Sequence, residues 1–236
     1  MDALDIAIAQ QVAQRTQAWM DIRLGRFTGS EIFRLIGKPR TAGAVFTETA
    51  ITYIDEKVAE VLTGQSKVVS TYATAWGTEH EPLAIAELGE RGVDVKSVGF
   101  APYGDHAGAS ADGLTILHGH KLVVEVKCPY ESSNHVNLLK CSSGKDLKKA
   151  EPKYYWQTQM EILAHRSIDG NLTTGCLFVS FDPRVLDEAR KLHFFFVDRD
   201  KDAEDLLVEK IGLAVVEKNR ILSLPTATMD IIQHAA

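Results

Sequence analysis

Cysteine is scarce: the 236 residues hold three, Cys128, Cys141 and Cys176. An odd count without metal-type spacing offers neither a disulfide framework nor a zinc-thiolate site, and it leads to the expectation of a reducing cytoplasm. Cys128, as a small hydrophobe, needs no special role. Long apolar runs are also missing, and none approaches the roughly 20 residues that span a bilayer. The opening Met1-Asp2-Ala3-Leu4-Asp5 carries acids where a signal peptide carries positive charge, which again predicts a cytoplasmic protein. Basic excess is absent, with a net charge of −6. That argues against a protein that coats nucleic acid over its whole surface, while leaving open one that confines positive charge to a channel. No repeat, low-complexity tract or linker divides the chain, so residues 1–236 are expected to form a single domain able to bury a sizeable core.

The most informative stretch is Ser110-Ala111-Asp112-Gly113-Leu114 followed by Val123-Val124-Glu125-Val126-Lys127. The second segment reads as a β-strand. Side chains on a strand alternate, so Glu125 and Lys127 share one face and Val124 and Val126 the other. Two charges inside an apolar strand are costly unless they are paired or perform chemistry. A two-residue turn at His118-Gly119 sets Asp112 directly opposite Glu125, with Cβ atoms roughly 5 Å apart. A three-residue turn would shift that register by one. Two carboxylates and a lysine at one spot suit metal-assisted hydrolysis of a phosphodiester: acids hold Mg²⁺ through oxygen, the ion polarises the phosphoryl group and generates hydroxide, and the lysine orients the attacking water. A surface hairpin with a Glu–Lys neighbour pair fits the same spacing.

Around this motif the pattern predicts helices near 28–36, 49–62, 73–88, 152–165 and 203–222, and strands near 93–101, 114–117, 121–127, 176–181 and 192–197. Thr28-Gly29-Ser30-Glu31 reads as a capping box opening the first helix, and Gly64 as the stop of the second. Helices flanking a central mixed β-sheet give an α/β or α+β domain. In the first helical turn Ser30 offers free backbone N–H groups to an anion, and Arg23 can reach the same place; a lone arginine near a helix start is more often only solvated. Glu81 adds a carboxylate on the third helix. Gln157 and Gln159 lie among bulky apolar groups, where buried amides need partners from a site or from backbone. Lys140, Lys145, Lys148, Lys149 and Lys153 could meet a DNA backbone, or form a solvated loop.

These residues, in order, resemble the phage lambda exonuclease or YqaJ-type viral recombinase branch of the PD-(D/E)XK nucleases. The likeness runs through Ala18-Trp19, Ile22-Arg23-Leu24-Gly25, Thr28-Gly29-Ser30-Glu31, Lys38-Pro39-Arg40 and Ala59-Glu60-Val61-Leu62-Thr63-Gly64. It continues in Ala75-Trp76-Gly77 with Glu81, Ser110-Ala111-Asp112-Gly113-Leu114, Glu125-Val126-Lys127-Cys128-Pro129, Gln157-Thr158-Gln159 and Asp182-Pro183-Arg184. Ala111 stands where the motif usually has proline, and the Thr41–Thr49 loop also departs from the pattern.

The resemblance implies a restriction-endonuclease-like core and a Mg²⁺-dependent 5′→3′ exonuclease on linear double-stranded DNA, with two ions per site and Mn²⁺ as a substitute. It assigns Asp112, Glu125, Glu81 and the Val126 carbonyl to metal, Lys127 with Gln157 to the attacking water, Arg23 and Ser30 to the 5′-phosphate, and Arg40 to strand separation. It further implies mononucleotide products, a 3′ single-stranded tail, a homotrimeric ring, a single-strand annealing partner and a bacterial or phage-infected host cytoplasm. An endonuclease of the same superfamily, of restriction or junction-resolving type, would share Asp112, Glu125 and Lys127. A non-catalytic DNA-end-binding scaffold would have no need of them.

Overall fold

The computed structural model describes residues 3–66 and 71–225. Helices α1 (Ala3–Gln11) and α2 (Gln17–Arg23) lead into strand β1 (Phe27–Thr28) and a 3-10 helix, Gly29–Leu35. Helices α3 (Glu48–Thr63) and α4 (Tyr72–Glu90) follow. Then come β2 (Ala101–Tyr103), β3 (Ala107–Ala109), β4 (Gly113–Leu117) and β5 (His120–Lys127). Helices α5 (Ser132–Leu138), α6 (Gly144–Ala150) and α7 (Pro152–Ile168) carry the chain to β6 (Thr173–Phe181). Helix α8 (Glu188–Lys191), β7 (Leu192–Asp198) and α9 (Lys201–Leu222) complete the described chain.

The main sheet runs β4-β5-β6-β7, with β5 and β6 parallel and the outer pairs antiparallel. Its register is set by the turn at His118 (φ 48°) and Gly119 (φ 81°), the paired positive angles of a two-residue hairpin. Leu117 consequently faces His120 and Gly113 faces Val124, the predicted register, which carries Asp112 to the level of Glu125. One face presents Leu122, Val124, Val126, Leu177 and Val179 to Ala84 and Leu88 of α4. The other presents Val123 and Phe178 to Tyr155 and Ile162 of α7. Glu125 and Lys127 lie on this second face by strand alternation. A smaller sheet, β1-β3-β2, packs its alanines on Met160, Leu163 and Ala164 of α7. Helix α7 is therefore sandwiched between two apolar clusters, and ten of its seventeen residues are buried. That burial fixes Gln157 over the face that carries Glu125 and Lys127.

Three local expectations fail. Gly29–Leu35 is a 3-10 helix, and the Thr28 side chain makes no cap bond. The Thr28 N–H donates to Tyr53 Oη at 2.9 Å, and Glu31 lies beside Arg34 and Lys153 at 3.8 and 3.5 Å, so neither half of the predicted capping box forms. Of the strand expected at 93–101, only Ala101 belongs to one, as the first residue of β2, and residues 93–100 make a single bridge, Lys96 to Leu114. Gly99 and Phe100 give their N–H groups to Gln10 and Ala9 at the end of α1, which the pattern did not reveal. Finally, the segment holding Lys145, Lys148 and Lys149 is α6, capped by the Ser143 side chain, and not a solvated loop.

Candidate active site

The site is built on the end of β5 and roofed by α7. Lys127 Nζ pairs with Glu125 Oε1 and donates to Gln157 Oε1 at 3.1 Å. The other end of the same amide, Gln157 Nε2, donates to Glu125 Oε1 at 2.6 Å and to Glu161 Oε1 at 2.9 Å. Glu125 is almost fully buried, and its second oxygen, Oε2, has no hydrogen-bond partner. Asp112, immediately before β4, closes the group: its N–H donates to Val124 O, and its Oδ2 accepts the Val126 N–H at 2.7 Å. The segment before it is tied down by Gln14, which donates to Ala111 O at 2.7 Å, and by Trp19 Nε1, which donates to Ser110 Oγ at 3.0 Å. Ala111, in the usual proline's place, is fully buried.

The charges respond to this crowding. Burial, then the Glu125 and Glu81 carboxylates, push the Asp112 carboxyl well above its usual range. Burial opposes the charge on Lys127, but Glu125 and Asp112 outweigh it and hold the ammonium above its ordinary value. Burial, with Glu125 beside it, raises Glu161 as well. Two carboxylates at one place plus an orphaned buried oxygen fit a divalent cation, which would supply Glu125 Oε2 with a partner and relieve the repulsion. Among the described residues no three acids, histidines or cysteines form a metal cluster by themselves. Glu81 lies near enough to act on Asp112, and its carboxylate is ion-paired with Arg15.

Arg23 and Ser30 both line a cleft of about 1400 Å³, together with Arg15, Trp19, Lys57 and Lys153. The Arg23 guanidinium lies 3.7 Å from the centre of the Trp19 ring, and burial lowers its pKa to about 10. Among the described residues no carboxylate reaches it directly, which leaves its donors available to an anion. The turn beneath it passes through Gly25, whose φ of 69° and distance to Val61 admit no side chain: an added Cβ would sit 2.6 Å from Val61 Cγ2. Arg40 is exposed and does not line this cleft.

Four residues unmarked or undervalued in the sequence turn out to matter here. Glu161, one helical turn beyond Gln157, ends the amide network. Arg15 has a φ of 68°, unusual for a side chain with a Cβ, and pairs with Glu81. Tyr154 places its ring 4.9 Å from Lys127 Nζ. Arg184 braces the segment after Lys127 by donating to Tyr130 O at 2.8 Å. Spacing alone points only to Glu161, at i+4 from Gln157 on one helix face. Gln159, by contrast, is satisfied by backbone, donating to Asp198 O and accepting from Asp200 N, each at 2.9 Å.

The family described as "YqaJ-like viral recombinase domain" matches residues 18–166 of the chain. The chain belongs to this family. Two solved structures of the alkaline exonuclease LHK-Exo from Laribacter hongkongensis, one in complex with dAMP, superpose with TM-scores of 0.68 and 0.70 at 26% and 27% identity, covering 87% of this chain and 93% of theirs. A phage-related exonuclease from Haemophilus somnus 129PT shares the fold at 18% identity and a TM-score of 0.65, over 84% of this chain and 95% of its own. Compared by sequence with curated proteins, the chain matches none significantly. Membership of the YqaJ-like family and likeness to the alkaline exonucleases make the protein a lambda-exonuclease-like DNA nuclease with a PD-(D/E)XK-type fold. No described helix is long and apolar enough to cross a membrane.

Proposed function

We propose that the protein is a Mg²⁺-dependent exonuclease that degrades one strand of linear duplex DNA from its 5′ end, releases 5′-mononucleotides and leaves a 3′ single-stranded tail for strand annealing. The observation that carries the chemical part is the orphaned, buried Oε2 of Glu125, a carboxylate near enough to raise the Asp112 pKa and held through its other oxygen by Lys127 and Gln157. Asp112, Glu125 and the Val126 carbonyl would hold the ion, and Glu81 would join them on release from Arg15. When bound, Mg²⁺ polarises the phosphoryl oxygen and acidifies water. Lys127 orients the attacking water for in-line displacement and keeps its own proton, because the flanking carboxylates hold it charged. Gln157 fixes both groups through one rigid amide. Arg23, on its Trp19 stack, takes the 5′-phosphate with Ser30 beside it, and Arg40 acts outside the cleft on strand separation.

The whole chain works as one nuclease domain within a homotrimeric ring that threads the duplex, beside an annealing protein. A ring reconciles processive digestion with a net charge of −6, because topology and not global attraction retains the substrate. The direct test is linear duplex labelled at either terminus, with covalently closed circles as control, incubated in Mg²⁺ or EDTA. Loss of 5′ label as mononucleotide in Mg²⁺, with circles intact, is the expected result. Cleavage of circles would replace this reading with an endonuclease, and 3′-first release would reverse the polarity.

A further inference from the structure

Lys218, on the last helix, is a buried cation that the proposed mechanism does not use: it is 3% exposed and lies beyond residues 18–166 matched by the family. Its ammonium donates to the Gly25 carbonyl at 2.8 Å and lies 3.2 Å from His106 Nδ1. The opposite side of the same glycine is gripped as well, since Gly25 N–H donates to Glu60 Oε2 at 2.8 Å. Glu60 is steadied in turn by Lys57 Nζ at 2.7 Å. Both polar groups of one peptide turn are thus held by side chains brought from α3 and α9. Gly25 stands two residues after Arg23, and its φ of 69° is a left-handed backbone that glycine adopts without a Cβ clash.

Burial lowers the Lys218 pKa, with Arg26 and Lys57 adding to the effect and Glu60 opposing it. Three cations, Arg23, Lys57 and Lys218, draw on the Glu60 carboxylate. Crowded positive charge of this kind is costly when the cleft is empty and is relieved when an anion arrives. His106 supports the arrangement by accepting from Lys218, which requires its neutral form.

We infer that Lys218 is a positioning residue for the 5′-phosphate site, holding the Gly25 turn so that Arg23 stands ready on Trp19 and adding positive potential behind it. The inference rests on the reading of Arg23 as the phosphate ligand. No residue of α9 lines the cleft itself, so Lys218 acts on it through the Gly25 turn.

The test compares wild-type protein with Lys218→Met, Lys218→Gln and Arg23→Ala on linear duplex with 5′-phosphate or 5′-hydroxyl ends, measuring kcat and half-saturating DNA concentration. Lys218→Met is expected to raise the half-saturating concentration of phosphorylated ends about tenfold, with kcat and the hydroxyl-end values within about twofold. Circular dichroism and a melting curve confirm folding. If the Met variant does not fold, Lys218→Gln decides the matter, since its side chain is one bond too short to reach the Gly25 carbonyl and should show the same selective loss. A folded variant that keeps the full preference while Arg23→Ala erases it overturns the role of Lys218 and leaves the pocket standing. Equal losses on both kinds of end reduce Lys218 to a structural part and overturn it too. An unchanged preference in Arg23→Ala overturns the pocket itself.

Discussion

Lys127 and Glu125 are held by opposite ends of one amide, that of Gln157: its oxygen accepts from the lysine at 3.1 Å and its nitrogen donates to the carboxylate at 2.6 Å. The amide can serve both only in one orientation, and Glu161 Oε1, taking the second N–H at 2.9 Å, selects that orientation. The position of the ammonium therefore depends on a glutamine one layer above it.

Lys127→Ala is accordingly expected to lower nucleotide release by about 10³-fold or more while binding to DNA ends survives, since one preorganised charge at a reacting centre contributes on that order. Single-turnover digestion and a filter-binding assay measure the two separately. Digestion near the wild-type rate would remove Lys127 from the mechanism.

Gln157→Leu should preserve the packing of α7 yet leave Glu125 and Glu161 with a lost donor each. A destabilisation of about 1–3 kcal/mol in urea denaturation is expected, together with a fall in kcat. Gln157→Glu should be worse in both respects, because it sets a third carboxylate against two. A Glu variant as stable as the wild type would contradict the network.

The Gly25 turn gives a prediction with two separable parts. Gly25→Ala should cost about 1–2 kcal/mol from the positive φ alone, and more from contact with Val61. The double variant Gly25→Ala with Val61→Ala should recover the contact part and keep the backbone part. Thermal melting distinguishes them; a single variant as stable as wild type would mean the turn is not held as described.

His165 predicts the acid limb of stability. Burial, only partly offset by Asp169, lowers its pKa from 6.5 to about 4. Because the folded value lies below the unfolded one, the unfolded chain binds more protons between these limits, so stability is full above pH 6.5 and falls as pH drops through 4. The loss attributable to this residue is about 2 kcal/mol by pH 5 and about 3 kcal/mol by pH 4. Urea denaturation of wild type and His165→Leu at pH 7.5 and 5 should show the variant's pH dependence flatter by that amount; parallel curves would contradict it.

Short-range rules govern what was legible from sequence. The His118-Gly119 turn and period-2 alternation carried Asp112 to the level of Glu125 and put Glu125 beside Lys127, and Gly64 ended α3 as predicted. Long-range partners were not legible. Residues 93–101 have strand-like composition, but the N–H groups of Gly99 and Phe100 go to the end of α1, a partner no local pattern names. The Thr28 capping box matched its template and lost to the Tyr53 hydroxyl, which arrives from α3. Lys218 looks like one more surface lysine of an amphipathic helix until the fold brings Gly25 to it.

Whether Asp112 and Glu125 share a divalent ion is decided by anomalous diffraction from crystals soaked in Mn²⁺, comparing the wild type with Glu125→Gln. A manganese peak in contact with the Asp112 and Glu125 carboxylates, lost in the variant while its fold is unchanged, is the predicted result. Saturating Mn²⁺ that leaves no peak between these two carboxylates, or a peak there that survives Glu125→Gln at full height, would contradict a metal held by this pair.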